Sequence, residues 1–282
     1  MMAKRISKRR KIIDKLVSSL ALLSVIIAII PLAGVLIFVA SRGLSAINLD
    51  FFISLPKPPD EIGGGIGNAI QGTLILIGLA SMIGIPIGVL SGIYLAEYGD
   101  NRFGSLVRFM ADVLSGVPSI IMGLFAYIVI VLTTRSFSAI SGGIALGIMM
   151  IPVITRTTEE SVKLVPNSIR EASMALGIRR WKTIVFIVLS TAKSGIITGI
   201  MLSIARIAGE TAPLLFTAFG SDLWATGLNQ PISALPLVIY KYAISPYANW
   251  QAQAWGAAFI LVSMVLILNI GVRFIARGRY RK

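Results

Sequence analysis

Six long apolar stretches govern what this chain can become. They run over about Val17–Val39, Gly67–Ala96, Val117–Leu132, Ile140–Ile154, Ile184–Ala208 and Ala254–Ile275. A helix crosses the hydrocarbon layer of a bilayer with roughly 20 mostly apolar residues. Several of the stretches reach or exceed that length. The fourth is shorter, and the third is approached through the polar-flanked segment Met110–Gly116. The chain is 56% hydrophobic and only 13% charged, against about 25% charged in ordinary globular chains. A soluble domain of 282 residues could not hide that much apolar side chain. The expected fold class is therefore an all-α membrane protein with six transmembrane helices.

The distribution of basic residues orients those helices. Lys4, Arg5, Lys8, Arg9, Arg10, Lys11 and Lys15 precede the first span, and Arg102 and Arg108 follow the second. Arg156, Lys163, Arg170, Arg179, Arg180 and Lys182 follow the fourth, and Arg273, Arg277, Arg279, Arg281 and Lys282 close the chain. That puts 20 of the 26 Lys and Arg residues on one side, against Arg42, Lys57, Arg135 and Lys241 on the other. Basic loops stay in the cytoplasm, so both termini are expected there. The net charge of +14 is then a topology signal, and nucleic acid is not an expected partner. The apolar part of the first span, about 23 residues with no A-x-A site after it, is too long for a cleaved signal core. It is expected to be retained and bent at Pro31. The resulting plan is a basic cytoplasmic tail (1–16), a first transmembrane helix (17–39), an external loop (40–66), a core of five helices (67–275) and a basic tail (276–282). Within the core, residues 159–183 form a cytoplasmic loop.

Residues the chain lacks exclude several chemistries. There is no Cys and no His, which removes disulfides, thiol nucleophiles, imidazole bases and the usual zinc sites. No G-x-x-x-x-G-K-[ST] phosphate loop is present, so ATP would have to be bound by another subunit. The chain is not expected to be an enzyme or to carry a cofactor.

Small residues mark helix contacts. Gly84, Gly88 and Gly92 recur every four residues beside Pro86, and Gly195, Gly199 and Ser203 do the same in the fifth span. Such stripes let another helix approach closely. The external segment Leu44–Gly67, with Pro56, Pro58, Pro59 and Gly63–Gly65, reads as too broken for a helix. With Phe51 and Phe52 it is also too apolar to be simply solvated. It either caps the outer mouth or touches a partner.

Two segments carry candidate chemistry. In the first, Ser168–Glu171 reads S-I-R-E, a capping box that would start a short helix. Ile169, Ala172 and Leu176 would share one face of it, and Gly177 would end it in the left-handed conformation. A plain loop helix packed on its own protein would look the same. The second segment is Arg206-Ile-Ala-Gly-Glu210-Thr211-Ala-Pro213. Arg and Glu at i and i+4 project from nearly one helix face. Ionisable groups are expensive in lipid and mark function by default. Gly209 and Pro213 loosen the helix there, freeing backbone to line a cavity. The guanidinium fork suits an oxyanion, while a structural ion pair is the competing reading. Lys193, 13 positions before Arg206, falls on a different face and reads as a snorkelling or packing lysine.

Glu171, Ala172, Gly177, Ile187 and Leu189 fit the spacing E-A-x4-G-x9-I-x-L. This resembles the EAA loop of membrane subunits of ABC importers, with Ser190 where that family usually has Pro. The runs GGIGNAIQGTL (Gly64–Leu74), GVPSIIMGLF (Gly116–Phe125), REASMALGIRRWKTI (Arg170–Ile184) and ARIAGETAPLLFTA (Ala205–Ala218) are similar to PstA-type permeases of phosphate ABC importers. The resemblance implies a type I ABC importer permease fold in the plasma (inner) membrane. It implies a PstC-like second permease, two ATP-binding subunits and an external phosphate-binding protein as partners. Ser168, Glu171, Ala172, Leu176 and Gly177 would couple to the ATPase, and Arg206, Glu210 and Thr211 would belong to the substrate path. A permease for sulfate, molybdate or an organic solute is the alternative. An ion-coupled secondary transporter would usually show internal repeats, and none is found.

Overall fold

The computed structural model describes residues 8–59, 61 and 63–277, and within these it is helical, with one isolated parallel bridge between Phe219 and Ile232. The basic residues Lys4, Arg5, Arg279, Arg281 and Lys282, and with them the tail ends on which the topology reading partly rests, lie outside the described residues. The helices are α1 (Lys8–Leu44), α2 (Leu49–Ile53), α3 (Gly67–Tyr98), α4 (Arg102–Gly116), α5 (Ser119–Thr134), α6 (Ala139–Lys163), α7 (Asn167–Ala175), α8 (Arg180–Ala208), α9 (Ala212–Thr217), α10 (Leu235–Ala243) and α11 (Ala248–Arg277). α5 contains a π-helical stretch over Tyr127–Val131, and α8 another over Thr183–Val188.

Five helices (α1, α3, α6, α8 and α11) are individually long and apolar enough to span a bilayer. The sixth crossing corrects the sequence reading. Val117–Leu132 is the second limb of a broken pair, α4 and α5, bent by 105° at Val117-Pro118. Pro118 lacks an N–H and disfavours helical backbone at the residue before it, so the chain turns there. The fourth span is also longer than its apolar core, because α6 continues through Thr155–Lys163 for 25 residues in all. Of its polar side chains, Arg156 and Glu159 are held by α4, as described below. The segment expected to form an external loop, 40–66, does contain a helix. Asn48 caps α2, accepting from the Phe51 N–H at 2.8 Å, and Phe51 is buried against Leu235, Tyr242 and Ala254. An aromatic anchor and a capping Asn thus overcame the Pro/Gly-rich flank.

α6 is the axis of the fold. α3 lies against it along the expected stripe. A Cβ placed on Gly84 would sit 2.7 Å from Met150 Cβ, one on Gly88 2.7 Å from Ile154 Cβ, and one on Gly92 2.5 Å from Thr158 Cβ. On the other side α8 approaches through Gly195 and Gly199, whose missing side chains leave room for Ser161 and Thr157. Ser203 continues that stripe and is buried. Leu76, Ala80, Leu146, Met150, Ile154 and Ile207 fill the layer between. α1 leans on α11, where Gly43 abuts Phe259 and Phe38 meets Trp255 edge-on at 5.0 Å. Most of its other side chains face outward, as lipid-facing ones do.

The irregular backbone between α8 and α11 is pinned to the ends of α3 and α6 remote from α7. Asn68 donates to the Ser221 carbonyl at 2.7 Å. Gln71 donates to the Ala225 carbonyl and accepts the Ala225 N–H. Thr73 accepts the Leu235 N–H at 2.8 Å. At α6, Ser138 and Ser141 form a capping box, and Ser141 also donates to the Thr217 carbonyl at 2.8 Å. Non-helical backbone at membrane depth is tolerated only when protein satisfies its polar groups in this way.

The glycine contacts make a clear prediction. Gly92→Leu forces a side chain into Thr158 and is expected to destabilise the subunit by about 1–3 kcal/mol or more. Gly78→Leu, where a Cβ meets nothing within 4 Å, should be near neutral. Thermal denaturation of the two detergent-solubilised variants decides, and equal melting temperatures would contradict the packing.

Candidate functional site

The first candidate region is the polar end of the α3/α6/α8 bundle. α7 begins after Pro166, so Asn167 is its first residue and Ser168 lies inside the first turn. The expected capping box therefore does not form: a hydroxyl on helical backbone cannot cap the turn that contains it, and no side chain caps α7. Its other end matches expectation. Gly177 has φ +76, its N–H donates to the Met174 carbonyl at 2.9 Å, and the Ile178 N–H donates to Ser173 at 3.3 Å. These are the paired bonds of a Schellman motif. A Cβ on Gly177 would meet nothing within 4 Å, so the demand for glycine is one of backbone angle rather than space. The expected apolar face divides. Ile169 turns inward onto the cluster of Val162, Val165 and Val188, and Ser173 is buried with its hydroxyl 2.8 Å from that of Thr183. Glu171, Ala172 and Leu176 face outward, Leu176 at 81% exposure. α7 thus presents a small outward surface of mixed character.

A charge network that sequence reasoning missed holds α7 in place. The Arg170 guanidinium donates to Glu97 at 3.0 and 2.7 Å and to the carbonyls of Val162 and Val165. Glu97 is nearly buried at the foot of α3. Arg180, at the start of α8, donates to the Glu97 carbonyl at 2.7 Å and lies 4.6 Å over the Tyr98 ring. Glu97 is thus gripped by its side chain and by its backbone, from both sides of α7. Next to it, Arg108 of α4 donates to Leu95 and Gly99 carbonyls, both at 2.9 Å, and to Glu159 of α6 at 2.7 Å. Glu159 is 3% exposed and also meets Lys163 at 2.7 Å and Arg156 at 3.3 Å. Arg156 makes a second, bidentate contact with Asp112 of α4. A carboxylate this deep persists only when fully paired. The Arg156, Glu159 and Lys163 spacing is i−3 and i+4 on one helix and could have been read from sequence. The cross-helix partners Arg108 and Glu97 leave no such signal.

The second candidate region is the break after α8. The helix ends at Ala208, two residues earlier than an i, i+4 pair on one helix would require. Gly209 donates to the Arg206 carbonyl and Glu210 to that of Ile207, and the chain then re-enters a helix at Ala212 with Pro213 in its first turn. Arg206 Nε lies 3.8 Å from Glu210 Oε1. That is ion-pair distance without a hydrogen bond. Arg206 is 47% exposed and Glu210 17%. Thr211 carries the N-terminus of α9, its carbonyl accepting from Leu214 and Leu215. All three sequence-chosen residues are therefore brought together, with the guanidinium free to reach another acceptor. Lys193 is half-buried and away from them, and Ser190 lies within the unbroken α8. Beyond α9, a cavity of about 470 Å³ opens between Phe219–Asp222 and α10. Lys241 sits 3.4 Å from Asp222 at its wall. Burial, and after it the Asp222 charge, pushes the Tyr242 phenol up to about 12, so this hydroxyl stays neutral.

A helical membrane bundle with a tethered loop helix at one end and a broken, charged helix towards the other defines a transport subunit. The fold is that of ABC importer permeases. A bacterial ABC transporter crystallised with an alginate pentasaccharide-bound periplasmic protein superposes with a TM-score of 0.63 over 95% of this chain and 94% of that one, at 16% identity. Residues 84–280 match the family described as "Binding-protein-dependent transport system inner membrane component". The phosphate transport system permease protein PstA of Haemophilus influenzae is 44% identical over 265 residues, 94% of each chain. PstA of Yersinia pestis is 44% identical over 257 residues, 91% of this chain and 87% of that one. The chain belongs to the PstA permeases within this family of inner membrane components.

The buried carboxylate gives the next prediction. Glu159→Ala removes the carboxylate that Arg108, Arg156 and Lys163 share and is expected to destabilise the subunit by on the order of 3 kcal/mol. Lys163→Ala removes a half-exposed partner, worth below about 1 kcal/mol. Denaturation midpoints of the two variants measure the difference, and a Glu159→Ala loss as small as that of Lys163→Ala would mean that water, not the network, solvates this acid.

Proposed function

We infer that this chain is the membrane-spanning permease subunit of an ATP-driven phosphate importer. The observation that carries the reading is the 44% identity to PstA along 94% of the chain. The cationic break in α8 supports it independently. The chain is a transport subunit, not an enzyme. It works with ATPase subunits and a substrate-binding protein, and its second permease is of PstC type. Both termini and α7 lie in the cytoplasm.

Phosphate must shed water to cross, and a fixed cation compensates what it loses. Arg206 fills that role. It is half-exposed, and Glu210 beside it offsets the charge without engaging the guanidinium at hydrogen-bonding distance. Phosphate is therefore held long enough to pass and not long enough to stay. Thr211 offers a hydroxyl next to the pair. At the other end, the outward surface of α7, with Glu171, Ala172 and Leu176, fits a groove on the ATPase, Ser168 and Gly177 setting where that helix starts and stops. Closure of the ATPases moves α7, and alternating access follows as the spans reorient.

Arg206→Gln is expected to cut phosphate uptake by about 10–100-fold, the loss of one charge-assisted contact. If the pair were only structural, Glu210→Gln added to Arg206→Gln would restore both assembly and uptake. On the reading given, the double variant assembles and still fails to transport. Pull-down of the complex and radiolabelled phosphate uptake into vesicles, with sulfate as competitor, separate the two. Near-normal uptake by a well-assembled double variant would take Arg206 off the phosphate route.

Coupling is tested at α7. Glu171→Lys is expected to leave the subunit in the membrane yet lose the ATPase stimulation that loaded binding protein evokes. Gly177→Val, strained by about 1–2 kcal/mol at positive φ, should do the same more weakly. Full stimulation in purified complexes of Glu171→Lys would show that the ATPase docks elsewhere.

A further inference from the structure

The outer end of α5 gathers several unusual backbone features around one small cavity. α5 carries its π-helical stretch at Tyr127–Val131 and ends on Arg135, whose φ is +52. Non-glycine residues seldom adopt that region. Across from it Phe219, also non-glycine, has φ +63 and stacks on Phe137 at 4.8 Å, and Phe137 stacks on Tyr127 at 6.1 Å. π-stretches and strained residues concentrate at ligand sites. The cavity, about 250 Å³, is lined by Tyr127, Val131, Leu132, Arg135, Ser136 and Phe137. That volume is far more than the ~10–15 Å³ a single water needs, and enough for a small hydrated ion.

Its polarity is one-sided. No carboxylate lines it, and Arg135 makes no ion pair or hydrogen bond among the described residues. Three neighbouring cations of this half of the molecule have partners: Lys57 with Glu61, Lys241 with Asp222, and Arg42 over the Phe38 ring. The guanidinium of Arg135 keeps its five donors free, with the Tyr127 phenol on the same wall. A site with donors and no acidic acceptor takes an oxyanion.

The cavity also stands in line with the break in α8. Gly123, one turn before Tyr127, abuts Pro213, since a Cβ on it would lie 2.6 Å from Pro213 Cα. Pro213 is three residues beyond Glu210. From there α9 runs to Thr217, a rise of about 6 Å at ~1.5 Å per residue, and Phe219, two residues further on, joins the aromatic stack beside Arg135. α9 therefore connects the two cationic positions. The corner is held rigidly, with the Ser138 N–H on the Thr217 carbonyl at 3.0 Å and the Ile140 N–H on that of Leu228 at 3.2 Å.

We propose that the Arg135 cavity is an outer binding station for a tetrahedral oxyanion, occupied before the ion reaches Arg206. The proposal rests on the reading of Arg206 as part of the phosphate path. Ser136 donates to the Phe137 carbonyl at 3.1 Å and shapes the wall. Arg135 binds without a counter-charge and in reach of water, so the station is weak and takes phosphate and sulfate alike.

The chain has no cysteine, so Ser136→Cys puts a single thiol of this subunit at the cavity, and Leu132→Cys gives a second reporter should the first fail to assemble. The complete complex in vesicles is treated from outside with an anionic methanethiosulfonate. Millimolar phosphate or sulfate is expected to slow modification several-fold, and chloride at equal ionic strength to leave it unchanged. Adding Arg135→Gln should abolish the protection and slow the anionic reagent but not a neutral one, while Arg135→Lys keeps part of it. Absence of protection in a complex that transports phosphate overturns the station and leaves Arg206 untouched. Protection that survives Arg135→Gln, or that needs the docked binding protein whatever the anion, also overturns it. Assembled wild-type complexes that take up no phosphate would instead overturn the phosphate reading itself.

Discussion

The close contact of α3 with α6 is the constraint from which the rest of the molecule follows. Three glycines at four-residue spacing let Met150, Ile154 and Thr158 sit directly on the α3 backbone. Lipid gives no hydrophobic drive for helices to associate, so close packing has to supply the attraction. Once that register is set, Glu97 at the foot of α3 and Glu159 at the foot of α6 arrive at the same level. There the arginines of α4 and α7 can reach both. At the other end the same register brings Asn68, Gln71 and Ser138 within reach of the looped backbone after α8. Both candidate regions are therefore built on one helix pair.

Much of this was legible in the residues. Apolar length gave the spans, the glycine and small-residue stripes gave two helix contacts, and Gly177 gave the end of α7. The pair Arg206 and Glu210 was legible because charge inside an apolar run is rare enough to be informative. What was hidden had physical reasons. Ser168 looked like a cap because S-x-x-E is a local pattern, yet Pro166 starts the helix early and moves the serine inside it. Val117–Leu132 looked like a simple span because hydropathy reports composition and not direction, and Pro118 turns the chain by 105°. Arg108–Glu159 and Arg170–Glu97 join residues 51 and 73 positions apart, and no periodicity records such a pair.

The charged groups of this phosphate permease serve two opposite purposes. Glu97 and Glu159 are buried and fully paired, which fixes geometry and leaves nothing to bind. At the break in α8 the pair is loose and half-exposed, which leaves donors free. The same residue types thus build a clamp in one place and, on the proposed function, a reception site in the other. Burial and hydrogen-bond distance decide which, not the residues themselves.

The interlock of α3 with α6 has a kinematic consequence. Large side chains seated in glycine notches on one face, and paired carboxylates at the foot, make these two helices and α7 a single rigid body. Any change of shape in the working subunit must then be taken up where the backbone is not so locked. Those places are the elbow at Val117-Pro118, the two π-helical stretches and the gap at Gly209. The first three lie on α4, α5 and α8, and the fourth adjoins Arg206. On the proposed function, the subunit is a stiff lever with its hinges placed around Arg206, so a push at α7 is delivered there and not absorbed along the way.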